Sequence, residues 1–190
     1  MRVIAGEAHG RRIDAPRGLN TRPATARVRT SIFSRLSARF DMSGARVLDL
    51  FAGSGSLGLE ALSRGAASAT FVDTARTATN SILKNLRTFG FQTRGRIVAK
   101  NVMTALAGLG AAHERFELVF IDAPYANDIT GEVLAALVQF DLNAPRGWAV
   151  ARQAEDAVVP ATPDGLECIS EATVGDHRIM LYRRLEKSPA

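Results

Sequence analysis

The chain has 190 residues, of which 46% are hydrophobic and 23% charged, enough for one domain with a sizeable core and too apolar for a disordered chain. No apolar run approaches the roughly 20 residues of a membrane span, and Met1 to Gly6 offers no signal-peptide core. The single cysteine, Cys168, excludes an internal disulfide and makes a reducing cytoplasm the expected address. His9, His113 and His177 are scattered, and no Cys/His/Asp grouping has metal-ligand spacing, so no metal site is expected.

The net charge of +5 is unevenly spread. Residues 1–46 hold ten arginines and three acids, a surplus of seven, so the remainder carries a net −2. Arginine forks suit bidentate phosphate contacts, which makes the N-terminus a candidate RNA- or DNA-binding region. A solvated basic face that aids solubility is the plainer alternative.

Residues 2–5 and 11–14 are strand-like around a polar turn, a candidate hairpin. Pro16, Gly18 and Pro23 mark a loop. From Thr25 to Arg39, Val28, Ile32, Phe33, Leu36 and the adjacent Phe40 recur at helical spacing, with arginines on the outer face. Residues 1–45 therefore read as a basic extension, and 46–186 as the main domain. In that domain, strands at 47–50, 69–72, 97–99, 118–121 and 148–150 alternate with helices at 57–64, 75–89, 102–109 and 129–138. Segments 166–173 and 178–184 form a closing antiparallel pair turned at Gly175-Asp176. The alternation predicts an α/β fold, a doubly wound, mainly parallel, seven-stranded Rossmann-like sheet with helices on both faces.

Gly53-Ser54-Gly55-Ser56-Leu57-Gly58 follows the first of these strands and precedes a helix. The pattern by itself suits a dinucleotide, whose pyrophosphate would sit on the helix N-terminus. Asp49, at the end of the strand, argues against that, because a carboxylate repels pyrophosphate. It favours S-adenosylmethionine, which carries a sulfonium and an ammonium and no phosphate. Asp49 could also simply cap the turn. Phe51, Ala52, Gly53 and Gly55 would bring backbone close to this cofactor. Asp73, ending the second strand, can accept the ribose hydroxyls. Asn101, beside Val102 at the third strand end, can meet the adenine edge, although it is equally a turn former.

Asp122-Ala123-Pro124-Tyr125 follows the fourth strand, and ligands of open α/β sheets bind at such carboxyl ends. Methylating an exocyclic base amine requires aiming a delocalised lone pair at the methyl group. Asp122 and the Ala123 carbonyl can accept the two N–H bonds, Tyr125 can stack on an unpaired base, and Pro124 stiffens the turn. An ordinary strand-ending turn is the alternative.

Residues Arg2 to Gly6, Gly10 to Arg12, Arg22 to Arg29, Leu48 to Gly65 and Asp122 to Tyr125 together resemble the RsmD family. These are bacterial methyltransferases acting on guanine N2 in 16S ribosomal RNA. The resemblance spans nearly the whole chain. It implies a class I S-adenosylmethionine-dependent methyltransferase fold with an N-terminal hairpin used on RNA. It makes Asp49, Gly53, Gly55, Asp73 and Asn101 cofactor-site residues, Asp122 and Tyr125 acceptor-site residues, and Arg11, Arg12, Arg22, Arg27 and Arg29 RNA-side residues. It further implies ribosomal RNA, within a small-subunit particle, as partner; the chain is expected to act as a monomer. The chain departs from the family pattern at Ala24, Ala26, Thr30 and Ala123, and Arg152 stands where a Glu is expected after the fifth strand. Those departures leave open a non-catalytic RNA or ribosome-assembly binding protein. A methyltransferase for DNA or a small amine is a third possibility.

Overall fold

The chain places a helix between each successive pair of its first five strands, the crossover that parallel pairing needs. In the computed structural model, which describes residues 1–15, 26–124 and 129–186, α1 (Ala26–Ser37) precedes β1 (Arg46–Leu50), α2 (Ser56–Ser63), β2 (Ser68–Val72), α3 (Arg76–Phe89), β3 (Gly95–Val98), α4 (Val102–Ala111), β4 (Phe116–Ile121), α5 (Thr130–Gln139) and β5 (Asn143–Ala154). An antiparallel pair, β6 (Leu166–Val174) and β7 (His177–Arg184), closes the chain. The sheet order is β3-β2-β1-β4-β5-β7-β6, with β1 to β5 parallel and β7 antiparallel to both its neighbours. Strand order reverses between β1 and β4, so the carboxyl ends of those two strands open the crevice where such sheets bind ligands.

Side chains alternate across each strand, and the alternation sorts two cores. Val47, Ala69, Phe71, Leu118, Phe120, Trp148, Val150, Ile179 and Leu181 face α1, α2 and α3. Leu48, Leu50, Val119, Ile121, Ala149 and Met180 face α4 and α5. Asp49, Asp73, Asp122 and Arg152 lie two residues beyond Val47, Phe71, Phe120 and Val150, so all four fall on the first face.

Two expectations need correction. The N-terminal hairpin reduces to one isolated bridge, Arg2 with Arg12, flanked by the Val3 N–H to Arg11 carbonyl bond at 3.0 Å and the Ile13 N–H to Met1 carbonyl bond at 2.9 Å. Its partners lie outside the strand ladder: Val3, Ala8 and Ile13 pack in the core with Ile32, Phe33 and Leu36 of α1. Strand β5 is far longer than residues 148–150. Pro145, Gly147 and Arg146, whose φ is 60°, hide its first half from a strand pattern, and the pairing with β4 jumps register between Phe116 and Leu118 to absorb them.

Glu60 of α2 fastens the N-terminal segment. Fully buried, it accepts the Ile4 N–H at 2.7 Å, the Ala5 N–H at 3.0 Å and the Arg64 Nε–H at 2.8 Å, and Arg29 Nη1 lies 3.9 Å away. Gly6 allows the segment to lie flat on α2. A Cβ there would fall 1.8 Å from the Ser63 carbonyl oxygen, and its φ is 81°. Asn85 of α3 adds a second tie. Its side chain accepts the Asp14 N–H at 2.8 Å and donates to the Asp14 carbonyl at 2.9 Å and the Ser54 carbonyl at 3.1 Å.

Among the described residues no helix is long and apolar enough to cross a membrane.

Removing Glu60 should leave the buried Arg29 guanidinium without its counter-charge and the Ile4 and Ala5 N–H groups without their acceptor. We expect Glu60→Ala to cost about 3–5 kcal/mol in denaturant unfolding, the range for breaking a buried ion pair. Glu114→Ala, which breaks the exposed Arg96–Glu114 pair, should cost less than about 1 kcal/mol.

Candidate active site

Asp49 is 1% exposed. Its Oδ2 accepts the Gly58 N–H of α2 at 2.9 Å. That contact depends on glycine: a Cβ at position 58 would lie 2.4 Å from the Phe71 ring and 3.1 Å from Asp49 Oδ2. Burial pushes the Asp49 carboxyl well above the usual carboxylate range. The Gly58 hydrogen bond opposes the shift, and repulsion from Asp122 and Asp73 adds to it. The carboxyl therefore favours a neighbouring cation, which would restore its charged form.

The turn that follows is held by backbone and side chain together. Phe51 has φ 57°, a left-handed conformation that is uncommon for an aromatic residue and marks local strain. Gly53 and Gly55 also have positive φ. The Ala52 N–H donates to the Val72 carbonyl at 3.1 Å, and the Gly55 N–H to the Ala52 carbonyl at 2.7 Å. Asp73 locks the turn from the next strand: Oδ2 accepts the Gly53 N–H and Oδ1 the Ala75 N–H, both at 2.8 Å. Each carboxylate oxygen has a second lone pair, so these bonds leave capacity for hydroxyl donors.

Asn101 caps α4, its Oδ1 accepting the Met103 N–H at 2.9 Å. Its place at the end of β3 is thus explained by helix capping without a ligand. Val102 is buried at the start of the same helix.

Asp122 lies just past β4, its carboxylate 17% exposed, and its Oδ1 accepts from Arg152 Nε of β5. Ala123 is buried and Pro124 exposed, while Tyr125 lies outside the described residues. Asp49, Asp73 and Asp122 thus come to neighbouring carboxyl ends on one face, as their strand positions predict.

The arginines divide. Arg11, Arg12 and Arg27 are exposed, with Arg11 donating to the Thr88 carbonyl and stacked 5.2 Å from the Phe89 ring centroid. Arg22 lies outside the described residues. Arg29 corrects the expectation of an RNA contact. It is 0% exposed, donates to the Arg2 carbonyl at 2.7 Å and sits beside Glu60, so it holds the N-terminal segment in place. The helical pattern already puts residue 29 next to the inward Val28, a signal that Arg richness obscured. Among the departures, Ala26 begins α1 and its carbonyl accepts the Thr30 hydroxyl at 2.8 Å, while Ala24 is outside the described residues. Arg152, where the resemblance implies a Glu, is brought against Asp122 by the pairing of β4 with β5.

Cation binding should ionise Asp49 and expel its proton. The affinity for S-adenosylmethionine should therefore rise with pH, by up to about tenfold per unit, until Asp49 is ionised in the unliganded protein, and then level off. The Asp49 carboxyl of the unliganded protein is stabilised protonated, so the same rise in pH should lower the stability of that form. Asp49→Asn should bind more weakly and lose this pH dependence in titration calorimetry, and a pH dependence unchanged by the substitution would exclude Asp49 as its source.

Residues 1–183 match the family model described as Conserved hypothetical protein 95. The chain is 33% identical over 184 residues to "Ribosomal RNA small subunit methyltransferase D" of Escherichia coli, covering 97% of this chain and 90% of that one. It is 29% identical over 183 residues to the protein of the same name from Haemophilus influenzae, with 96% and 93% covered. The solved structure titled "Putative methyltransferase yhhF from Escherichia coli" superposes with a TM-score of 0.85 at 33% identity, covering 97% of each chain. The class I methyltransferase architecture, the glycine turn with its carboxylates and these full-length similarities agree: the chain belongs to the Conserved hypothetical protein 95 family, the RsmD family of ribosomal RNA methyltransferases.

Proposed function

We propose that the chain transfers a methyl group from S-adenosylmethionine to the exocyclic N2 amine of a guanine in small-subunit ribosomal RNA, acting as a monomer on a small-subunit particle. One observation carries the reading: Asp49, Asp73 and Asp122 stand on one sheet face at the carboxyl ends of β1, β2 and β4, around a glycine turn. The residues fit the cofactor. A buried carboxyl whose ionisation two other carboxylates oppose favours a sulfonium and ammonium and disfavours a diphosphate. The Gly53–Gly55 turn and Asp73 would hold the nucleoside end, and Asp49 would act on the charged end. When bound, the cofactor supplies an electrophilic methyl group on sulfur.

This chain's residues then supply position and charge. Asp122 has one oxygen committed to Arg152 and one for an amine N–H of the base. The Ala123 carbonyl accepts the second N–H. With both protons bound, the nitrogen lone pair is turned out of conjugation, and the carboxylate stabilises the positive charge that develops on nitrogen. Tyr125, the next aromatic along the chain, is assigned the stacking role. The exposed Arg11, Arg12 and Arg27 would meet RNA phosphates, while Arg29 holds their supporting segment against α2.

The test is transfer of a labelled methyl group to small subunits from cells lacking this protein, with deproteinised ribosomal RNA in parallel and a nucleoside digest of each. The expected product is N2-methylguanosine, with the particle the better substrate. Asp122→Ala should lower turnover by about a hundredfold or more while S-adenosylmethionine binds with near wild-type affinity. Label in another nucleoside would redirect the acceptor assignment. RNA binding with no label would favour an assembly factor without methyl transfer.

A further inference from the structure

The acceptor loop has a neighbour that the family pattern does not predict. Ile121 pairs with Ala151, so Asp122 at the end of β4 stands next to the rung occupied by Arg152 of β5. Arg152 pairs with Ile179 of β7, and His177 lies two residues along β7, a diagonal neighbour on the same face. The side chains meet accordingly. Arg152 Nε donates to Asp122 Oδ1, and Arg152 Nη1 lies 3.4 Å from His177 Nδ1.

For Arg152 Nη1 to donate to it, His177 Nδ1 must accept, which is the tautomer with the ring proton on Nε2. That nitrogen lies 3.6 Å from Asp176 Oδ1 in the turn between β6 and β7. The Arg152 and His177 side chains are 6% and 3% exposed. The planar guanidinium is therefore held at two edges, one by the carboxylate and one by the imidazole, which fixes its orientation.

We propose that Arg152 is the positioning residue of this enzyme's acceptor site, holding the Asp122 carboxylate in the orientation that receives the base amine, with His177 steadying the guanidinium from behind. The proposal rests on the role given to Asp122 above. Two features of the site call for such a clamp. Asp122 follows the last rung of its strand, and its Ala123 neighbour lacks the ring that would stiffen the loop as the family's Pro does. Asp122 also opposes the ionisation of Asp49 on the same face. A guanidinium at position 152 removes both problems: it offsets the repulsion and leaves the second carboxylate oxygen for the amine. A Glu there would add a negative charge beside Asp122 instead.

The test is a double-mutant cycle on methyl transfer, read as kcat, RNA KM and S-adenosylmethionine affinity. Arg152→Gln should lower kcat by about ten- to a hundredfold, the scale for misplacing a group near the reacting atoms, with KM and cofactor affinity within about twofold. Arg152→Lys, which keeps the charge without the fork, should recover part of the loss. In an Asp122→Asn background, Arg152→Gln should cost nothing further, because the group it positions is already altered. His177→Phe should lower kcat a few-fold in the native background and not in Asp122→Asn, which keeps the test open even if Arg152→Gln is poorly folded. Full activity in Arg152→Gln, or losses that multiply across the cycle, would overturn the positioning role while leaving the acceptor site in place. Full activity in Asp122→Asn would overturn the acceptor-site reading itself.

Discussion

A carboxyl group buried against a glycine is the constraint on which this crevice is built. Asp49 meets α2 only because residue 58 has no side chain. Phe71 fills the space where a Cβ would stand, and the Gly58 N–H reaches Asp49 instead. The arrangement couples strand β1, helix α2 and strand β2 into one rigid corner. It also buries a carboxyl that is costly to ionise until a cation arrives, and the Gly58 N–H offsets part of that cost.

The rest of the site follows from sheet geometry. Parallel pairing brings the carboxyl ends of β1, β2 and β4 side by side, and the two-residue alternation turns Asp49, Asp73 and Asp122 to the face covered by α1, α2 and α3. Asp73 reaches back to hold the glycine turn, and Asn85 joins that turn to the N-terminal segment. The basic extension is therefore continuous with the core, fastened by Glu60 and Arg29. The arginine-bearing N-terminal segment and the carboxylate crevice are joined through buried polar contacts of Glu60 and Asn85.

Arginine does two different jobs here. On the surface, Arg11, Arg12 and Arg27 contribute charge. In the interior, Arg29 and Arg152 each sit beside a carboxylate that needs a partner, Glu60 in one case and Asp122 in the other. The interior pairs are structurally costly to break because the remaining charge would be stranded in a poorly solvated place. Composition counts both kinds alike, which is why the N-terminal surplus overstates the number of arginines available to phosphate.

Periodicity and punctuation alone determined most of the architecture. The helices stood out because apolar residues recur at their spacing, and the strands because short apolar runs end at glycine or aspartate. The glycine turn and its flanking acids were legible for the same reason, since their chemistry is local and contiguous in sequence. Tertiary structure decided what depended on distant partners. The first half of β5 was hidden by Pro145 and Gly147 because it pairs with β4 across a register jump, an event no local pattern records. The apparent hairpin became a single bridge because Glu60 and Ser63 of α2, more than fifty residues away, satisfy its backbone instead. Arg152 read as a lost Glu until the register of β4, β5 and β7 set it between Asp122 and His177. Pairing across the sheet determines which side chain stands beside Asp122.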